Sequence, residues 1–355
     1  MRQTSIAPRP VLEPSVPGTR ATYDSATYDR DGEHGLSFQQ PVPRRLVHRA
    51  AVAEVLLTDS VRLGERRFLV AAQWPRDHAL HNPDAAGRTD PLLFAETIRQ
   101  MFVYLPHTYF GVPLTHRFIG DRLSFDFEDA APLKVGAAPL DVVLEAEWTW
   151  EGNRPPNRFG MRLDVVLTID GQVYGRGRIS GIAVDDRRYS LLRRRDAGTR
   201  RTEGDPMERT PVAPAAVGRL RGKDCVLERG VRDGSWWLRV DTDHAIFFDH
   251  PSDHVPLMVA MEGARQLGHL LVREGDAGAP LSLVSAQVEC LAFGELDEPT
   301  RLVVEEADEP TGDPSLRRLR IGAYQNGHSF VTITTLWSRP AAPRLAYIPA
   351  QGARA

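Results

Sequence analysis

The sequence predicts an α+β protein built from two tandem copies of one unit, each a buried helix wrapped by an antiparallel sheet. Three observations predict it. At a common offset of 166 positions, Asp77-His78 falls on Asp243-His244 and Glu96-x-x-Arg99-Gln100 falls on Glu262-x-x-Arg265-Gln266 without a gap. Shared rare polar residues at one offset are the mark of an internal repeat. The segment from Leu257 to Val272 is apolar on nearly every face, as befits a helix inside a core rather than on a surface. Alternating, β-branched stretches follow the Glu-bearing segment in each half.

The elements follow in order. Residues 1–40 are rich in Pro, Ser, Thr and Asp without apolar periodicity and are expected to be a flexible tail. The first repeat spans 41–185. A strand over Phe68 to Gln73 leads into a polar loop, and Asp90-Pro91 opens the helix. Proline suits a first helical turn, where its missing N–H has no acceptor. Pro106 stops or kinks that helix. Strands are expected over Leu140–Trp150, Phe159–Ile169 and Gln172–Val184. Residues 186–216, with Arg193, Arg194, Arg195, Arg200 and Arg201 and then Pro211 and Pro214, form an Arg/Pro-rich linker. Its arginines are either a solvated loop or a patch for an acidic partner such as an acyl carrier protein. The second repeat spans 217–340, with strands over Trp236–Val240, Leu281–Phe293, Leu302–Glu306, Leu316–Tyr324 and Ser329–Trp337, its helix opened by Pro256 and ended by the Gly-containing run after Arg273. Residues 341–355 form a second tail. One buried helix followed by several antiparallel strands is the hot-dog arrangement, which normally works as a dimer. Two copies in one chain supply both halves, giving a double hot-dog that is a monomeric pseudo-dimer or a homodimer.

Composition narrows the function. A net charge of −3 over 355 residues gives no electrostatic case for nucleic acid. Two cysteines, Cys225 and Cys290, exclude a disulfide scaffold. No apolar stretch is long enough for a signal peptide or a membrane span, so a cytoplasmic protein that avoids membranes is expected. Asp249, His250, Asp253 and His254 match no standard zinc spacing, so no metal is expected, and no cofactor either. Gly175-x-Gly177 lies within a strand pattern and lacks the context of a dinucleotide site.

The candidate chemistry sits on the helices. Glu262, Arg265 and Gln266 occupy i, i+3 and i+4 and share one face, as do Glu96, Arg99 and Gln100. Charges inside an apolar helix need each other or a ligand. They therefore serve either as an ion pair fixing the repeats or as a site. Five of the eleven histidines (His78, His81, His244, His250 and His254) lie in the loops just before the two helices, which favours a site. The candidate catalytic residues are Glu262, Glu96, His250 and His254. Arg265, Arg99, Gln266, Gln100, His78 and His244 are candidates for binding substrate. The segment from Asp249 to Pro256 feeds a helix N-terminus, whose free N–H groups stabilise an oxyanion or a phosphate.

Several segments together resemble the A-factor biosynthesis family of actinobacteria. They are Val47-His48-Arg49, Glu54-Val55-Leu56-Leu57-Thr58-Asp59, Gln73-Trp74-Pro75-Arg76-Asp77-His78, Glu96-Thr97-Ile98-Arg99-Gln100, and Phe248-Asp249-His250-Pro251 through His254-Val255-Pro256. The resemblance covers about residues 45–340. It implies a double hot-dog acyltransferase that moves a β-ketoacyl group from acyl carrier protein to the hydroxyl of dihydroxyacetone phosphate. The ester then cyclises by intramolecular aldol condensation toward a γ-butyrolactone or butenolide signal. Glu262, Glu96 or a loop histidine supplies the base, Arg265 or Arg99 takes the phosphate, and amides near Leu257 and Met258 take the oxyanion. Glu262 and Arg265 are expected to matter most, with Glu96 completing a site across the pseudo-two-fold axis. One departure is Leu257, where the family commonly has glycine. The alternatives are an acyl-thioester dehydratase or thioesterase, which gives an inward arginine little to do, and a non-catalytic signal-binding homologue.

Overall fold

The computed structural model describes residues 35–84, 86–128, 133–196, 208–273, 281–308, 313 and 315–338. Most of the expected N-terminal tail, the C-terminal tail and the linker arginines Arg200 and Arg201 lie outside them, as does the side chain of Arg195. So does the run after Arg273 that was expected to end the second helix.

In the first repeat, β1 (Leu57–Arg62) and β2 (Arg67–Trp74) precede helix α1 (Leu92–Tyr109). Four long strands follow: β3 (Arg117–Phe127), β4 (Leu140–Trp150), β5 (Arg158–Ile169) and β6 (Gln172–Val184). The second repeat repeats the pattern, with β8 (Leu227–Gly230), β9 (Trp236–Leu238), α3 (Leu257–Arg273), β10 (Ser282–Cys290), β11 (Thr300–Asp308), β12 (Leu316–Gln325) and β13 (His328–Ser338). Between them lie α2 (Asp186–Asp196) and β7 (Arg209–Pro211), two ordered elements inside the stretch read as linker.

One thirteen-stranded antiparallel sheet runs in the order β1-β2-β4-β5-β6-β3-β10-β13-β12-β11-β9-β8-β7. The repeats join at the centre through β3 and β10, where Leu123 pairs with Val288 and Phe125 with Ala286. This continuous sheet around two central helices is the double hot-dog. Strand β3 went unforeseen because its middle, Gly120-Asp121-Arg122, breaks the apolar alternation. Its pairing with β10 overrides that weak local pattern.

The helices explain the glycines. A Cβ on Gly177 would stand 2.3 Å from Ile98 of α1, so the Gly-x-Gly of β6 lets the helix lie close on the sheet. A Cβ on Gly263 of α3 would likewise stand 2.5 Å from Leu238. Pro106 lies inside α1 and neither stops it at once nor prevents a further turn. The helix runs to Tyr109, and the Pro106 carbonyl then accepts from the amides of Phe110 and Val112. Phe94, Ile98 and Met101 are fully buried, each contributing about 1.5–3 kcal/mol. Among the described residues no helix is long and apolar enough to cross a membrane.

Candidate active site

Each repeat begins with a short 3₁₀ turn that closes in a left-handed residue, His48 (φ 51°) in one copy and Gly218 (φ 65°) in the other. The turn delivers the next residue, Arg49 or Arg219, onto the helix glutamate. Neither arginine was expected in the site. The signal was present as Val47-x-Arg49 and Val217-x-Arg219, but at an offset of 170 rather than 166, so a gapless alignment hides it.

The two glutamines are braces. Gln100 accepts from the Leu56 amide (2.9 Å) and donates to the Glu54 carbonyl (2.7 Å) and to Glu96 (2.7 Å). Gln266 repeats this on Val226, Asp224 and Glu262. His78 accepts at Nδ1 from the amides of Leu80 and His81, and its Nε2 lies 3.5 Å from Glu54. His244 is held the same way by Ile246, Phe247 and Asp224. With both ring nitrogens committed, these histidines shape the loops. His78 lines the cavity described next, while His244, Gln100 and Gln266 do not.

A cavity of about 550 Å³ opens between the repeats. Leu93, Phe102, Phe118, Ile182, Leu192 and Phe293 contribute apolar wall. Arg49, Glu96, Arg99, His81, His250 and His254 are among its polar lining, with Glu54, His78, Asp121 and Ser252. Glu96 accepts a fork from Arg99 Nε and Nη2 (2.8 and 2.9 Å) and a further bond from Arg49. Burial pushes its carboxyl upward, but the two guanidiniums outweigh burial and hold it far below the usual range. Arg49 Nε is buried with no hydrogen-bond partner. His250, with a side chain 46% exposed, is pushed below the ordinary histidine value by burial and by Arg99 and Arg49. That shift favours the neutral imidazole. Leu257 and Met258, in the first turn of α3, also line the cavity, and amides at that position have no helical acceptor.

The loop before α3 is fixed from two sides. Asp249 accepts from the amides of Ala50 and Ala51 (2.7 and 2.8 Å), tying repeat two to repeat one. Asp253 accepts from Tyr189 of α2 and pairs with His254 (2.7 Å). The four residues weighed as a metal set thus split into two pairs, Asp249 with His250 at 3.5 Å and Asp253 with His254 at 2.7 Å. Helix α2 closes one side of the cavity. Its Leu192 lines the wall, and Arg193 forks onto Glu295 at 2.7 Å through both Nη1 and Nη2.

The second copy of the motif is arranged otherwise. Glu262 is 0% exposed and is gripped by Arg219 and Arg265. Burial again opposes ionisation, but Arg219 and Arg265 bring the carboxyl down to about 2. Arg219 also donates to the Leu80 carbonyl (2.9 Å) and to Asp90 (2.7 Å). Asp90 caps α1 by accepting from the Leu92 amide (2.9 Å). None of Glu262, Arg265, Arg219 and Asp90 lines the cavity. Glu262 and Arg265, expected to matter most, thus lie outside this cavity, whereas Glu96, Arg99 and Arg49 line it.

A double hot-dog with a charged pocket at the junction of its repeats defines the class. Residues 31–185 and 201–339 match the A-factor biosynthesis hotdog domain, and the chain belongs to that family. It is 39% identical over 287 residues to a 2-oxo-3-(phosphooxy)propyl 3-oxoalkanoate synthase of Streptomyces virginiae, covering 80% of this chain and 93% of that protein. A protein of the same name from Streptomyces coelicolor is 32% identical over 301 residues, covering 83% and 91%. Among solved structures, an acyl-ACP thioesterase from Bacteroides thetaiotaomicron aligns at 12% identity with a TM-score of 0.42, over 76% of this chain and 98% of that one.

Proposed function

We propose that this chain is an acyltransferase that moves a 3-oxoacyl group from an acyl carrier protein thioester to the free hydroxyl of dihydroxyacetone phosphate. The product is the 2-oxo-3-(phosphooxy)propyl ester that names its relatives. One observation carries the reading: a carboxylate held between two guanidiniums stands in the same cavity as a long apolar wall. The guanidiniums suit a phosphate and the wall suits an acyl chain. A thioesterase or dehydratase has no phosphorylated acceptor to hold beside the acyl chain, and it is such an acceptor that two cavity-lining arginines suit.

The steps follow from position. Arg99 and Arg49 seat the phosphate, with Glu96 fixing both forks. The acyl chain lies along Phe102, Phe118 and Leu192. The first-turn amides of α3 receive the thioester oxyanion as the hydroxyl oxygen attacks. The new C–O bond forms, the C–S bond breaks, and the thiol leaves with a proton. Glu96 is a poor base because two cations hold its lone pairs, so the hydroxyl proton goes to an imidazole. Cyclisation of the ester toward a butenolide or γ-butyrolactone signal follows.

The test is mass spectrometry of protein incubated with a 3-oxoacyl thioester, with and without dihydroxyacetone phosphate. A product carrying both acyl and phosphate masses, lost in Arg99→Ala, supports the reading. Thioester loss that ignores dihydroxyacetone phosphate moves the protein to the hydrolases, and no turnover points to a binding protein.

A further inference from the structure

His81 is unassigned by the steps above, yet it lines the cavity with only 5% of its surface exposed. Its Nδ1 is buried without a hydrogen-bond partner and lies 3.6 Å from the Asp90 carboxylate. A buried ring nitrogen facing a buried carboxylate is the arrangement that fixes a histidine's tautomer, with Nδ1–H toward the acid and the Nε2 lone pair free. Contacts of this kind are often long before substrate binds and shorten afterwards.

Its surroundings single it out. The His78 ring packs on it at 5.1 Å, but both nitrogens of His78 are already committed. Glu54 faces His78, and Arg219 reaches the same loop through the Leu80 carbonyl and Asp90. Burial acts to protonate Asp90, but Arg219, then His81 and Arg265, hold it an anion well below the ordinary carboxylate range. At the repeat offset of 166, His81 and Asp90 correspond to Phe247 and Pro256, which can neither accept a proton nor orient a base. The pair thus exists in one repeat only, and that repeat supplies the Glu96 and Arg99 of the cavity.

We propose that His81 is the base for the acceptor hydroxyl, and that the buried Arg219–Glu262–Arg265 cluster of the second repeat acts through Asp90 to position it. The inference rests on the acyltransfer reading. The hydroxyl proton passes to His81 Nε2 as the oxygen attacks the thioester carbonyl. The C–S electron pair leaves on sulfur, and the thiolate takes that proton back, so the imidazole ends neutral. Asp90 and Arg219 are positioning residues, while His81 meets the reacting atoms.

The experiment measures ester formation from a 3-oxoacyl-pantetheine thioester and dihydroxyacetone phosphate across pH, in wild type, His81→Gln, Asp90→Asn and His250→Gln, with thermal midpoints recorded for each. His81→Gln is expected to lose about 10²–10⁴ in kcat with little change in KM or midpoint. Asp90→Asn is expected to lower kcat while KM for dihydroxyacetone phosphate stays nearly unchanged, because the imidazole loses its orienting anion. A purely structural Asp90 would lower the midpoint and leave kcat per folded molecule unchanged, which would overturn its positioning role. Folded His81→Gln turning over within about threefold of wild type would overturn the base, and if His250→Gln alone abolished turnover the base would be His250. Should wild type itself form no ester, the acyltransfer reading falls first, a result distinct from wild type and His81→Gln both forming it.

Discussion

The two Glu-x-x-Arg-Gln helices carry the same residues and lead different lives. On α1, Glu96 and its two arginines face a cavity, with Asp249 only 4.0 Å from Arg49 because its oxygens are taken by the Ala50 and Ala51 amides. On α3, Glu262 and its two arginines are sealed, and Asp90 bonds Arg219 at 2.7 Å. The helix starts differ in the opposite sense. The Asp90 carboxylate accepts from the Leu92 amide at the start of α1, whereas Pro256 stands in the matching place before α3 and offers no such acceptor. One duplicated motif thus lines a cavity in one copy and is sealed inside the fold in the other. The switch is made by loop residues around the motif rather than by the motif.

That contrast is open to breakage in several ways. The largest effect is expected from Glu262→Ala, which leaves Arg219 and Arg265 buried without their carboxylate and should cost about 3–5 kcal/mol in urea unfolding. Arg99→Ala should do the reverse, lowering kcat/KM by about 100-fold while the unfolding midpoint stays nearly in place. Equal losses of stability in the two variants would erase the distinction between strut and site.

The acid limb of stability gives a third measure. His48 and His269 are both pushed down to about 4, by burial first and then by neighbouring charged groups. A depressed folded value favours the neutral ring, so their contribution is present above the unfolded value of about 6.5 and is lost as pH falls toward 4. Glu262, at about 2, adds a second loss that begins only below the ordinary carboxylate value and continues to about pH 2. Urea midpoints measured from pH 8 to 3 should therefore fall in two stages, with His269→Asn flattening the first. The smallest effect is expected at Leu257, which lines the cavity at the start of α3. Leu257→Gly should favour longer or branched 3-oxoacyl donors by about tenfold in kcat/KM, measured by competition between donors.

Much of this was legible in the sequence. The duplication, both helices and the strands β4, β5, β6, β12 and β13 follow from periodicity and from the 166-residue offset. Strand β1 was hidden by its polar middle Thr58-Asp59-Ser60, β8 by its Glu228-Arg229 pair, and β3 by Gly120-Asp121-Arg122. Helix α2 was masked by its arginines, since a helix that anchors through Tyr189, Leu192 and Arg193 shows little apolar stripe. In the site, Glu96, Arg99, His250 and His254 were read from spacing, and all four line the cavity. Which copy faces the cavity was not legible, because Glu96 and Glu262 sit in the same Glu-x-x-Arg-Gln motif on helices that are both apolar around it. Arg49 and Arg219 were missed because the first repeat carries four more residues between Leu57 and Asp77 than the second does between Leu227 and Asp243.

The most direct test of the two-copy contrast is calorimetric titration of the intact chain with dihydroxyacetone phosphate, repeated on Arg99→Ala and Arg265→Ala. One open site and one strut mean one equivalent bound per chain, lost in Arg99→Ala and kept by the folded fraction of Arg265→Ala. Two equivalents per chain, or binding lost in folded Arg265→Ala and kept in Arg99→Ala, would contradict it.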